Sequence, residues 1–80
     1  MRIKTVSGLG AFVRDQRKKK GWSQADLAQK AGVSRLWIGD LEKGKPTLEI
    51  DLVFKAMRVL GISFEVSLVS SDNILEKAFQ

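Results

Sequence analysis

Apolar residues along this chain recur first at helical spacing and then, near its end, at strand spacing. Leu9, Phe12 and Val13 share one helix face, Gln16 and Arg17 continue it, and Gly21 stops the pattern. This predicts a helix over about 7–20. Leu27, Ala28 and Ala31 form the apolar face of a second helix over about 24–31. Ser23 stands at its N-cap and Asp26 at its third position, a short-armed capping box, with Trp22 placed to staple onto the helix and seal the core. Ile38 and Leu41 sit three apart on a third helix over about 34–42, which ends at Lys43-Gly44. Gly32 lies between the second and third helices, where a chain leaving a helix needs positive φ, and Ser34 can cap the next one. Ala28 is small where two crossing helices come closest. Lys45-Pro46 makes a turn, and Thr47 is expected to cap a fourth helix carrying Glu49 and Asp51 in its first turns. Leu48, Leu52, Val53, Ala56, Val59 and Leu60 make that helix's buried stripe, and Gly61 stops it.

The period then changes. From Ile62 to Val69 apolar and polar residues alternate, with Ile62, Phe64, Val66 and Leu68 on one face, which is a strand signal. A single strand after four helices has no partner in its own chain unless Arg2 to Val6 supplies one. An unpaired apolar edge is an aggregation hazard. The same strand from a second copy, paired across a two-fold axis, removes it. Residues 62–69 are therefore read as an intersubunit strand, the plain alternative being an extended tail. Residues 70–80 read as a flexible tail, in which Ile74, Leu75, Ala78 and Phe79 can form one amphipathic turn on a partner. The expected organisation is an N-terminal arm (1–6), a helical domain (7–61), the strand and the tail.

Two helices joined by a short turn containing Gly form a helix-turn-helix, whose second helix can enter the DNA major groove. Charge strengthens that reading. Residues 1–45 hold eleven Lys and Arg against four acids, a net +7, and residues 46–80 hold three against five, a net −2. The basic excess thus coincides with the helix-turn-helix, where it can bind phosphates with release of counterions. The same charge can also serve only as a solvated face. Among 80 residues there is neither Cys nor His. This excludes disulfides and thiolate sites and removes the commonest general base and metal ligand. With no Gly-rich phosphate loop and no paired carboxylates in a cleft, no catalytic constellation can be assigned and no cofactor or metal is expected. No apolar run approaches the length of a membrane span, and the N-terminus lacks a signal-peptide core, so a cytoplasmic location is expected.

The stretch from Val13 to Gly61 resembles the DNA-binding domains of lambda- and Cro-like repressors, the XRE family. The match is carried by Ser23-Gln-Ala-Asp-Leu-Ala-Gln-Lys-Ala-Gly-Val-Ser34 and by Leu41-Glu-Lys-Gly-Lys45. It implies a mainly α fold, a lambda-repressor-like helix-turn-helix bundle of four helices, here followed by a dimerisation β-strand. The segment Val33 to Lys45, the fourth helix and Leu60-Gly-Ile-Ser-Phe-Glu-Val66 together look like the HipB-type antitoxins. In that group a strand pairing between subunits replaces the usual fifth helix, and the proteins bind a HipA-type kinase toxin and repress their own operon.

The resemblance also implies roles for single residues. Gln24 matches the residue that contacts a phosphate or orients a base-contacting side chain. Ser34, Arg35, Leu36, Gly39 and Asp40 match the positions that read bases. Arg35 can bond guanine in bidentate fashion or hold a phosphate, and Leu36 can pack on a thymine methyl. Asp40 can accept from cytosine, but pairing with Arg35 or with a cation of the fourth helix is the favoured reading. Gly39 lets the third helix approach the bases closely, at a helix-propensity cost of about 1 kcal/mol. Trp37 either lies on the sugar-phosphate backbone or packs on the fourth helix. Lys43, Gly44 and Lys45 match the loop that clamps the backbone; Lys18 to Lys20 lie further off. Arg17 and Glu42 match an internal ion pair tying the first helix to the end of the third. Lys20 replaces a common Leu, which makes that end of the first helix wetter.

The expected function is a homodimeric, sequence-specific repressor on an inverted-repeat operator. It doubles as the antitoxin of a HipBA-type operon that binds a kinase toxin. The alternative is a stand-alone XRE-family or phage-type repressor without a toxin.

Overall fold

A computed structural model describes residues 2–45 and 47–65. Four helices follow in chain order: α1 (Val6–Lys19), α2 (Gln24–Ala31), α3 (Arg35–Lys43) and α4 (Ile50–Val59). The first three begin at a side chain that satisfies a free backbone N–H. Thr5 Oγ1 accepts from the Gly8 N–H at 2.9 Å, and Ser34 Oγ accepts from that of Trp37 at 3.0 Å. Ser23 and Asp26 form the expected reciprocal capping box, each side chain accepting from the other's backbone N–H at 3.0 and 2.9 Å. Val6 is already helical, so the residues before α1 are shorter as an extended arm than expected, and residues 2–5 form no strand.

The fourth helix departs from its expected start. Thr47 does not cap it; Glu49 occupies the N-cap position and makes no side-chain cap bond. The reason is tertiary. Leu48, expected inside the helix, lies before it and packs half-buried against the core. The chain stays extended through Glu49 (ψ 121°) and turns only afterwards. α4 contributes Val53, Ala56 and Met57 to the buried set, with Leu60 just beyond its end. Met57, 2% exposed, was not among the expected stripe residues.

Val13, Leu27, Ile38, Leu41 and Met57 are the largest fully buried side chains, so every helix contributes to one core. Trp22, Val33, Trp37, Leu48, Val59 and Ile62 pack around it. Two glycines decide how α1 meets α3. A Cβ on Gly10 would overlap the backbone carbonyl of Leu41, so the two helices cross in main-chain contact. Gly44 ends α3 at φ +76°, and a Cβ there would run into the backbone of Ser7. Its left-handed turn also lets the Lys45 N–H donate to the Asp40 carbonyl at 3.1 Å, a Schellman closure.

Beyond Gly61, the Ile62 N–H donates to the Met57 carbonyl at 2.9 Å and Ile62 lies half-buried on the core. Phe64 meets Phe54 of α4 edge-on, with ring centroids 4.8 Å apart. Ile62 to Glu65 take no strand conformation within the single chain. The remainder of the expected strand, with Val66 and Leu68, and the expected tail lie outside the described residues.

Candidate nucleic-acid interface

The helix-turn-helix rests on a buried polar network. Arg17 projects from α1, and its Nε donates to Glu42 Oε2 at 2.7 Å while Nη2 donates to Oε1 at 3.0 Å. The third arm of the guanidinium, Nη1, donates to the Trp22 carbonyl at 2.7 Å. The two side chains are only 9% and 4% exposed. The hydrogen bonds Arg17 donates to Glu42, and the negative charge of that carboxylate, raise the Arg17 pKa above its ordinary value against the opposing pull of burial. The guanidinium is therefore charged at any working pH. Gln24, the first residue of α2, joins the network by donating its Nε2 to Glu42 Oε1 at 3.2 Å. The Glu42 carboxylate at the end of α3 thus holds α1 and the start of α2 directly, while Arg17 holds the α1–α2 turn. The expected Arg17–Glu42 pair is present; the involvement of Gln24 was not anticipated from spacing.

This platform presents one face of α3. Ser34, Arg35 and Leu36 are exposed at its N-terminal end, and Lys43 and Lys45 are exposed at and beyond its C-terminal end. Leu36 is 73% exposed, an apolar tip standing free of the core on a helix that buries Ile38 and Leu41 completely. Gly39 and Asp40 lie between these ends and are half-buried. Asp40 is paired, as favoured, but with a different partner: its Oδ1 lies 3.4 Å from Lys45 Nζ. Neither Arg35 nor a cation of α4 takes that role. The Schellman turn folds Lys45 back over Asp40 and brings the two side chains together. The pair is half-open to solvent, so it contributes about 0–1 kcal/mol and leaves Lys45 free to exchange partners.

Trp37 was open between two roles, and in the free chain its indole packs against the core. Its Nε1 is buried and meets no acceptor among the described residues. Trp22 behaves as a staple, half-buried against the core. Its ring lies 5.4 Å from Lys20 Nζ and 4.8 Å from Lys30 Nζ, so the Lys in place of Leu keeps contact with the turn through a cation–π approach. Among the described residues no three His, Cys, Asp or Glu side chains come together as a metal site. An open cleft of about 310 Å³ is lined by Ser7, Ala11, Arg14, Asp15, Lys18 and Glu42, whose carboxylate is already engaged by Arg17. No described helix is long and apolar enough to cross a membrane.

Gly10 and Met57 were missed by sequence reasoning. Gly10 carried a signal, since a glycine inside a helical pattern costs stability unless a close approach requires it. Met57 carried little, because Leu60 and Val53 already completed a plausible stripe.

The family model described as helix-turn-helix matches residues 13–66. An HTH-type transcriptional regulator of Sinorhizobium fredii is 45% identical over 65 residues, covering 81% of this chain and 86% of the relative. The structure of a HipA–HipB–O2–O3 complex superposes with a TM-score of 0.79 over 88% of this chain and 99% of the other, at 23% identity, which is a likeness of fold. SinR, a master regulator for biofilm formation, solved in complex with DNA, superposes at a TM-score of 0.63 and 32% identity, covering 69% of this chain and 89% of the other. The chain therefore belongs to the helix-turn-helix family of DNA-binding transcriptional regulators, which are not enzymes.

Proposed function

We propose that the protein is a homodimeric repressor whose α3 helices enter successive major grooves of an inverted-repeat operator, about 34 Å apart. The observation that carries this reading is the exposed α3 face, from Ser34, Arg35 and Leu36 to Lys43 and Lys45, mounted on the buried Arg17–Glu42 pair. Arg35 reads guanine, Leu36 meets a thymine methyl, and Lys43 and Lys45 bind the phosphate backbone. Dimerisation is supported by the apolar face of α4: Ile50, Phe54 and Phe64 are 64%, 44% and 47% exposed, and Phe64 joins the segment after Gly61 to that face through Phe54. Phe64 belongs to the segment expected from its alternation, with Ile62, Val66 and Leu68, to pair between subunits. The test is binding to the protein's own upstream DNA. Arg35→Ala flattens base preference at one or two positions per half-site. Lys45→Ala weakens all sequences alike and lowers the salt slope by about one. Affinity insensitive to both removes α3 from the groove.

Within that reading, an antitoxin role with a HipA-type kinase toxin is supported by the fold shared with HipB, solved in complex with HipA. Residues 46–80 carry a net charge of −2, opposite in sign to the basic half that holds the helix-turn-helix. The stand-alone regulator remains the competing reading, favoured by the higher identity to SinR. A stable complex on co-expression with the product of the adjacent gene supports the antitoxin; a neighbourhood without a kinase-like frame supports the stand-alone regulator.

A further inference from the structure

We infer that Gln24 is itself a base-reading residue: its carboxamide oxygen is a fixed acceptor, uncovered by Gly39, for the amino group of an adenine or cytosine. The inference rests on the operator-binding reading above. It begins with the orientation of an amide, whose nitrogen and oxygen are similar in shape but opposite in hydrogen bonding. Glu42 settles that orientation. Its carboxylate is engaged by the Arg17 guanidinium through both oxygens and can only accept. The Gln24 atom 3.2 Å from Glu42 Oε1 must therefore be the nitrogen, which leaves Oε1 on the other side.

That other side is Gly39. A Cβ built on Gly39 would meet Gln24 Oε1 at 3.8 Å and no other atom within 4 Å. Gly39 lies one turn beyond Arg35 on α3 and three residues beyond Leu36, so its bare Cα belongs to the same face that carries these exposed side chains. A side chain there would start in van der Waals contact with the amide oxygen, its Cβ 3.8 Å away. With glycine, the oxygen stays accessible, and among the described residues it accepts no hydrogen bond.

An acceptor at this point cannot serve a phosphate, which offers only acceptors itself. In the major groove the donors are the N4 amino group of cytosine and the N6 amino group of adenine. Holding the amide by Glu42 removes the rotational freedom that would otherwise let it present nitrogen or oxygen indifferently. The Arg17–Glu42 pair thereby acquires a second consequence: it selects which face of Gln24 meets the DNA.

The experiment starts from the half-site selected by the wild-type protein out of randomised duplex DNA. Affinities are then measured for every single-base substitution of that site, at several salt concentrations. Gln24→Met keeps the shape and removes the acceptor. Gly39→Ala fits the space and places a methyl group over the oxygen. Both variants are expected to lose preference for adenine or cytosine at one and the same half-site position, by roughly 2- to 10-fold, with the salt slope unchanged. Preferences elsewhere stay as in the wild type. Uniform weakening of all sequences by Gln24→Met with a shallower salt slope overturns the inference in favour of a phosphate contact. A sharp wild-type profile left unchanged by both variants overturns it as well, without touching the repressor reading. A wild-type profile flat at every position overturns the repressor reading, and this inference falls with it.

Discussion

α3 and α4 are similar in length, nine and ten residues, yet they are held by different forces. α3 has a side-chain cap at Ser34, a left-handed glycine at its end and a buried ion pair in its last turn. α4 closes on a left-handed glycine too, Gly61 at φ +75° with the Ile62 N–H on the Met57 carbonyl, but it has no side-chain cap and is otherwise held by Val53, Ala56 and Met57 in the core. Directional bonds fix position and rotation closely, whereas apolar burial is proportional to area and tolerates small shifts. The helix proposed to meet the base edges is the one with directional side-chain bonds. The helix held mainly by packing leaves Ile50 and Phe54 on the surface.

The comparison breaks most sharply at Glu42. Glu42→Ala leaves the Arg17 guanidinium buried without its partner and should cost about 3–5 kcal/mol in denaturant unfolding. If the loss is under about 1 kcal/mol, the network contributes orientation and no stability. Met57→Ala should cost about 2–5 kcal/mol through the cavity it leaves in the core. That loss should come with little change in base preference per bound molecule, since Met57 is buried in the core whereas Ser34, Arg35 and Leu36 are exposed. Caps differ on a smaller scale. Ser34→Ala should lower stability by about 1 kcal/mol, and Thr47→Ala by almost nothing, because Thr47 lies outside α4 and makes no cap bond. Equal losses would mean that α4 is capped in solution after all.

The smallest effect is in pH. Hydrogen bonding from Ser23 lowers the Asp26 pKa below its ordinary 3.8. A carboxylate with a lowered folded pKa contributes stability that is fully present above the unfolded value and is lost as pH falls through the folded one. The α2 capping box should therefore be intact at neutral pH and weaken only below about pH 4. Thermal unfolding of Asp26→Asn should show a shallower decline over that acid range than the wild type does.

The contrast between the two helices also separates what could be read early from what could not. The bounds of α2 were legible to the residue because a capping box and a glycine mark both ends locally. α4 began later than Thr47 suggested because the deciding contact, Leu48 on the core, joins residues far apart in sequence. The Arg17–Glu42 pair was legible only through the family resemblance; nothing in the spacing of two residues 25 apart requires them to meet. The Asp40–Lys45 pair was missed because the Gly44 turn, and not the helical repeat, brings the two together. Gln24 was expected to face DNA, but the side chain that settles its orientation comes from another helix.

The sequence by itself determined the helical elements, the caps of α2 and α3, the turn at Gly32, the basic half and the family, because these depend on periodicity and on residues within one turn of each other. Only the tertiary structure decided that α1 crosses α3 at Gly10, that one carboxylate joins the end of α3 to α1 and to the start of α2, and that Gly39 leaves the Gln24 oxygen open. Each of these is a meeting of distant residues, and local physical chemistry has no term for a distance that the fold has yet to set.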